Sequence, residues 1–178
     1  MARDRGVGRG WAMNPLILAI DPGPVTSGVV WYLRHTRTVM RSEPKMPNDD
    51  VRAALRLLRG SPVLVAVERV RTHGRGTPGG GAWGDVLRTA EESADFRRTA
   101  LESGHHVVWL SRRDVLGALG GLPSKGSDAA VRRYCIDVHA SSDREALGTK
   151  AAPGPLYGVT SHAWQALGLA LAVVGGEP

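Results

Sequence analysis

A single cysteine, Cys135, is present in 178 residues. No intramolecular disulfide can form, and neither a zinc knuckle nor a CxxC redox pair can be built, so a reducing cytosol is the expected compartment. Long apolar runs are also missing. The stretch 16–20 is cut by Asp21, too short for a signal-peptide core or a membrane span, and no membrane partner is expected. Acidic residues are scarce, with 17 Asp+Glu against 23 Lys+Arg and a net charge of +6. The sequence pI is about 10.2. Such an excess favours polyanions, nucleic acid first among them. An Arg-, Gly- and Ala-rich composition raises the pI by itself, however, so the charge needs support from a site.

The length suits one domain with a real core. Residues 14–175 are expected to form it, behind a flexible basic arm over 1–13. Residues 15–20 (PLILAI) read as a central strand buried on both faces and stopped by the Asp-Pro-Gly turn at 21–23. Residues 27–34 and 38–43 read as two further strands of an antiparallel meander. The period then changes: Val51, Ala54, Leu55 and Leu58 mark an amphipathic helix over 49–60. A fourth strand follows over 62–70 (PVLVAVERV), then a glycine-rich basic loop over 70–84 with no hydrophobic period. A helix over 85–103, a strand over 105–110 and a short helix or turn over 111–119 come next. Ser127 caps a helix carrying Val131, Tyr134, Cys135 and Val138, and a nearly all-apolar helix over 161–174 closes the chain. No internal repeat is visible. This order predicts an α/β fold with a mixed five-stranded sheet, an antiparallel meander followed by parallel strands, and helices on both faces.

Two carboxylates interrupt apolar strands. Asp21 ends the first and Glu68 lies near the end of the fourth, and an unpaired charge at such a place costs several kcal/mol, on the order of known burial penalties. If these strands are parallel neighbours, both acids reach one sheet edge, where a hard divalent ion would satisfy them. The plain alternative pairs each acid with an arginine or a loop amide. In the closing helix, His162 and Gln165 are three residues apart, hence on one face, and both are polar among apolar neighbours.

LILAIDPG, VLVAVERV and the late SHAWQALGLAL together resemble the motif series of RuvC-type Holliday junction resolvases, members of the ribonuclease H-like superfamily. The resemblance covers residues 15–174. It implies that Asp21, Glu68, His162 and Gln165 form the catalytic group, with Asp21, Glu68 and His162 as metal ligands. It further implies Mg²⁺ or Mn²⁺, two ions per site with DNA bound, and attack of a metal-activated water on a phosphodiester. His162 would ligate, contact the phosphate or assist proton transfer. Segment 152–172 is similar to phage-encoded members, which places the protein in the cytoplasm of a bacterial or phage-infected cell. Gln165 departs from the pattern, standing where the family has a final Asp, and a neutral amide adds no charge to a metal site. Asp128 or Asp143 could substitute, although Asp128 is more simply explained as a first-turn residue favourable to the helix dipole.

The resemblance implies an endodeoxyribonuclease of DNA recombination and repair that resolves four-way junctions, as a homodimer and with no small-molecule cofactor. Candidate DNA contacts are Arg69, Arg71, His73 and Arg75 in the glycine-rich segment, Trp83 as a stacking face or helix anchor, and Arg112, Arg113 and Lys125. The charged helix over 85–103 matches the family's dimer helix by position and reads equally as a solvated face. One rival is a catalytically weakened DNA-binding protein that recognises branched DNA, distinguished by its metal binding. Another is an actin-like ATPase, disfavoured because no second glycine-rich DxG loop follows a later strand.

Overall fold

The computed structural model describes residues 15–70, 81–124 and 127–175. The apolar run at its start forms β1 (Leu16–Asp21), in which Ile17, Leu18, Ala19 and Ile20 are all fully buried. Since successive side chains of a strand point to opposite faces, both faces of β1 are covered, as a central strand requires. The sheet order is β3-β2-β1-β4-β5. Here β2 is Thr26–Leu33, β3 is Thr38–Pro47, β4 is Val63–Arg69 and β5 is His106–Ser111. β1 pairs antiparallel with β2, and β2 antiparallel with β3. β4 is parallel to both β1 and β5. The expected meander followed by parallel strands is therefore what the chain forms.

Alternation along the strands divides the core into two layers. Leu18, Ile20, Val29, Val65 and Val67 pack against Val51 and Leu55 of α1 (Asn48–Leu57) and Phe96 and Ala100 of α2 (Gly81–Glu102). Arg52 ties these two helices together, bonding Asp49 on its own helix and Glu92 and Asp95 on α2. Ile17, Ala19, Val30, Leu64 and Ala66 face the other layer, made by α3 (Arg112–Ala118), α4 (Ser127–His139), α5 (Asp143–Leu147) and α6 (Ala163–Gly175). The apolar circumference of α6 has its reason here: residues 163–173 touch sheet and helices on every side, and all but Gln165 are buried.

Several boundaries differ from expectation. α2 begins at Gly81, within the stretch read as loop, so Trp83 is a helical residue. Glycine costs only about 1 kcal/mol in a helix, and a long helix packed on a sheet absorbs that. β3 runs on to Pro47 through Pro44. Proline is tolerated there because β3 is an edge strand whose outer side needs no donor. α5 has no counterpart in the expected order, being too short to show a period; Ser142 caps it by accepting from the Glu145 amide. Ser127, expected as a cap, is the first helical residue of α4. The basic arm over 1–13 lies outside the described residues. Among those described, no helix is long and apolar enough to cross a membrane.

Close packing between α4 and α6 depends on Gly168, where an added Cβ would meet Val131 Cγ1 at 2.4 Å. Gly168→Ala should therefore destabilise the fold by about 1–3 kcal/mol despite alanine's better helix propensity. Urea unfolding measures this, and Val131→Ala in the same chain should recover part of the stability, since the two substitutions act on one contact.

Candidate active site

Asp21 is held by a turn that is itself tied down. The Gly23 amide donates to Ser27 Oγ (3.3 Å), Ser27 Oγ donates to Asn48 Oδ1 (2.8 Å), and Asn48 Nδ2 donates to the Gly23 carbonyl (3.0 Å). Ser27 and Asn48 are buried, so this small network fixes the chain leaving β1 against the start of α1. The turn is tight: a Cβ at Gly23 would lie 2.2 Å from the Thr26 carbonyl oxygen. In the parallel pair β1/β4, Ile20 is opposite Val67, so Asp21 and Glu68, one residue further along each strand, leave the same sheet edge side by side. The Glu68 backbone is fixed from the α2 layer, because Ser93 Oγ donates to its carbonyl (2.6 Å) and Trp109 Nε1 donates to Ser93 Oγ (3.2 Å).

His162 joins the pair from the opposite layer. Its Nδ1 lies 3.3 Å from Asp21 Oδ2. Contrary to expectation it is not a residue of the closing helix: α6 starts at Ala163, and the His162 carbonyl accepts from the Gln165 and Ala166 amides, the position of a helix cap. Its approach depends on Gly28, the β2 partner of Asp21. A Cβ on Gly28 would lie 2.4 Å from the His162 carbonyl oxygen and 2.8 Å from its Cβ. The bare backbone at Gly28 thus gives the ring its place beside Asp21. Glycine inside a strand signals such an approach, and that signal was present in TSGVVW.

Burial is the main force on both acids. It raises the Asp21 carboxyl, with the His162 hydrogen bond pulling the other way. Glu68 is pushed up to about 7, first by burial and then by the neighbouring Asp21 charge. Arg112 opposes this, but weakly: its guanidinium is 3.7 Å from Glu68 Oε2 while it bonds Asp128 at 2.5 Å. Asp21 in turn raises the pKa of His162 through their hydrogen bond. Glu68 Oε2 and Gln165 Oε1 are buried and accept no hydrogen bond. Two orphaned oxygens, one on a carboxylate beside a second carboxylate, are donors of the kind a hard divalent cation takes. Among the described residues, however, no three His, Cys, Asp or Glu side chains form a group able to hold a metal ion. Asp21, Glu68 and His162 are therefore not a complete ligand set. Gln165 lines a neighbouring pocket with His162 and Asp128.

Of the candidate DNA contacts, Arg112 and Arg113 open α3, next to Glu68, and both line the cleft that begins at Glu68. Arg69 follows Glu68 and is exposed, and Trp83 is half-buried near the start of α2. Arg71, His73, Arg75 and Lys125 lie outside the described residues. Asp128 comes nearer to the site than the helix-dipole reading required, through its bond to Arg112, whereas Asp143 is turned to Arg132 (2.7 Å) and Arg133 (3.6 Å). Lys45 on β3 acts electrostatically on His162, although nothing in its sequence context marked it.

No family model matches the chain, and no curated protein matches it. Solved structures do. A Thermus thermophilus RuvC structure is 21% identical over 90% of this chain and 93% of that one, with a TM-score of 0.50. T. thermophilus RuvC in complex with a Holliday junction substrate is 22% identical over 90% and 92%, with a TM-score of 0.54. The fold is ribonuclease H-like, of the RuvC kind. At these identities the likeness reaches the fold and no further.

Two outcomes follow for the isolated protein without divalent metal. The folded Glu68 carboxyl titrates near 7, whereas in the unfolded chain it titrates near 4.5. Between those values the folded state binds the extra proton, so stability falls as pH rises through the window. Glu68→Gln should be more stable than the wild type at pH 8, by up to about 3 kcal/mol, and should lose that advantage below pH 5; urea unfolding at both pH values checks it. Gly28→Ala should lower the melting temperature and displace the His162 ring from Asp21, seen as a fall of the His162 pKa towards the ordinary histidine value in an NMR titration.

Proposed function

We propose that the protein is a divalent-metal-dependent endonuclease that resolves four-way DNA junctions by phosphodiester hydrolysis. The observation that carries this reading is the pairing of Asp21 and Glu68 at the ends of adjacent parallel strands, with a buried Glu68 oxygen that accepts no hydrogen bond. The substrate class rests on the fold's likeness to a resolvase solved with its junction and on the surplus of basic residues.

When bound, Mg²⁺ or Mn²⁺ supplies positive charge to the phosphate and lowers the pKa of water. Asp21 and Glu68 anchor the cations. His162 keeps Nδ1 on Asp21, which leaves Nε2 to contact the phosphate or take up a proton. Arg112, close to Glu68 yet drawn outward by Asp128, offers guanidinium hydrogens to a phosphate entering the cleft. Gln165 would contribute only a neutral oxygen, so two ions would bring four positive charges against two negative charges from Asp21 and Glu68. A second ion would be held firmly only with the charge of DNA phosphate added to that of the two carboxylates. That shortage also favours a second reading, a catalytically weakened protein that binds branched DNA. A homodimer through α2 is part of the proposal: Val86, Leu87 and Leu101 are exposed along that helix.

Cleavage of a mobile four-way junction, a nicked duplex and an RNA/DNA hybrid, each with Mg²⁺ and with Mn²⁺, tests the function. Asp21→Asn and Glu68→Gln should each abolish junction cleavage while leaving junction binding largely intact. Unchanged turnover in either variant rejects the site, and tight junction binding without cleavage by the wild type selects the second reading. Gln165→Asp should tighten Mn²⁺ binding in calorimetry and lower the Mg²⁺ needed for half-maximal cleavage, with Gln165→Glu controlling for reach. If neither variant moves either curve, Gln165 stands outside the metal shell.

A further inference from the structure

Next to Glu68, on the α2 side of the sheet, two arginines share one indole. The Arg69 guanidinium lies 4.8 Å from the Trp109 ring centre and that of Arg97 lies 5.0 Å from it. Arg69 ends β4, Arg97 projects from α2, and both are exposed. Trp109 is opposite Val67 on β5, one residue back from the edge at which Glu68 emerges. The ring is anchored, since Nε1 donates to Ser93 Oγ and Ser93 holds the Glu68 carbonyl.

The two charges are on the order of 10 Å apart at most, about one Debye length at moderate salt, so their repulsion is only partly screened. Some exposed arginines are neutralised, Arg41 by Glu43, Arg98 by Asp95 and Glu102 and Arg133 by Asp137, and others such as Arg56 and Arg88 pair with no acid among the described residues but stand singly, without a shared indole. Neither Arg69 nor Arg97 pairs with an acid among the described residues. The indole face orders each guanidinium and leaves its hydrogens outward, unpaired. Two preordered, unneutralised forks on one indole, within about 10 Å of each other, suit a chain of groups with several anionic oxygens, and a phosphate backbone is such a chain.

We infer that Arg69 and Arg97, ordered on Trp109, form a phosphate-binding site beside the carboxylate pair, which takes the backbone of the DNA strand one or more nucleotides from the scissile phosphate. This rests on the nucleic-acid reading above but needs neither metal nor cleavage. It adds a grip from the α2 layer to the cleft that Arg69 lines together with Glu68 and Arg112. A phosphate set there fixes where along the strand cleavage falls, because such interactions set register and carry no sequence information.

The test is binding of a fluorescent four-way junction by anisotropy in EDTA, across a range of KCl. Each phosphate that a variant no longer neutralises should reduce the slope of log K against log salt by about one. Arg97→Gln and Arg69→Gln are expected to lower it by about one each, and the double variant by about two. Arg98→Gln, the same charge change one residue along α2 but at a neutralised arginine, is expected to leave it unchanged. An unchanged slope in the double variant overturns the inference while the junction-binding reading stands. Equal effects of Arg97→Gln and Arg98→Gln also overturn it, since net charge is then the cause. Indole fluorescence titrated with inorganic phosphate separates the sources: a phosphate response abolished in the double variant, with the junction slope untouched, means a free-anion site and rejects the backbone assignment. If the wild type itself shows no salt-dependent junction binding, the nucleic-acid reading falls and this inference with it.

Discussion

Two carboxylates emerging side by side from the core edge of a parallel strand pair set the terms for the rest of the molecule. Asp21 and Glu68 are each largely buried, and the charge of Asp21 adds to the cost of ionising Glu68. An ordinary fold avoids such a pair, because uncompensated buried charge costs several kcal/mol, on the order of the gap that keeps a small domain folded. The surrounding structure compensates only in part. His162 serves Asp21, while Arg112 divides itself between Glu68 and Asp128. The remaining charge is what the proposed divalent cation would answer, and the cleft opens at the same edge, beside Glu68.

Rigidity is concentrated where it keeps the two acids together. Ser27 and Asn48 lock the turn after Asp21, Ser93 and Trp109 lock the backbone of Glu68, and Gly28 lets the cap of α6 reach the strand. These supports come from both helical layers. Neither acid can retreat from the other by a small local shift, so without a cation the strain is met by Glu68 holding its proton, its carboxyl being pushed up to about 7. Preorganisation of this kind, with ligands held apart from solvent and close to one another, is what a metal-assisted hydrolytic site requires. The same supports reach Trp109, so the arginine pair on its face is held in register with Glu68.

Much of this was legible in the sequence. Apolar runs broken late by Asp21 and Glu68 announced buried strands ending in charge, and the parallel pairing that joins them follows from the helix between the third and fourth strands. The five strands and their order of appearance were visible because strand runs are short, β-branched and bounded by turns. What escaped depends on packing between distant segments. That His162 caps α6 and sits over Gly28, that Asp128 competes for Arg112, and that Arg97 meets Arg69 on Trp109 are all meetings of residues far apart in sequence. No local period encodes them. Charge on α2 looked uniform in one dimension, yet Arg98 is neutralised by its helix neighbours and Arg97 is turned to the sheet.

The claim that the Asp21–Glu68 edge calls for an external cation is tested most directly with Ca²⁺, which binds oxygen ligands and is a poor cofactor for hydrolysis of this type, by thermal unfolding at pH 8. The wild type should melt at progressively higher temperature as Ca²⁺ rises, the increment following ligand linkage. The Asp21→Asn, Glu68→Gln double variant should start higher without Ca²⁺ and show no dependence on it. A wild-type melting temperature indifferent to Ca²⁺, Mg²⁺ and Mn²⁺ alike, or one that rises equally in the double variant, would contradict the account.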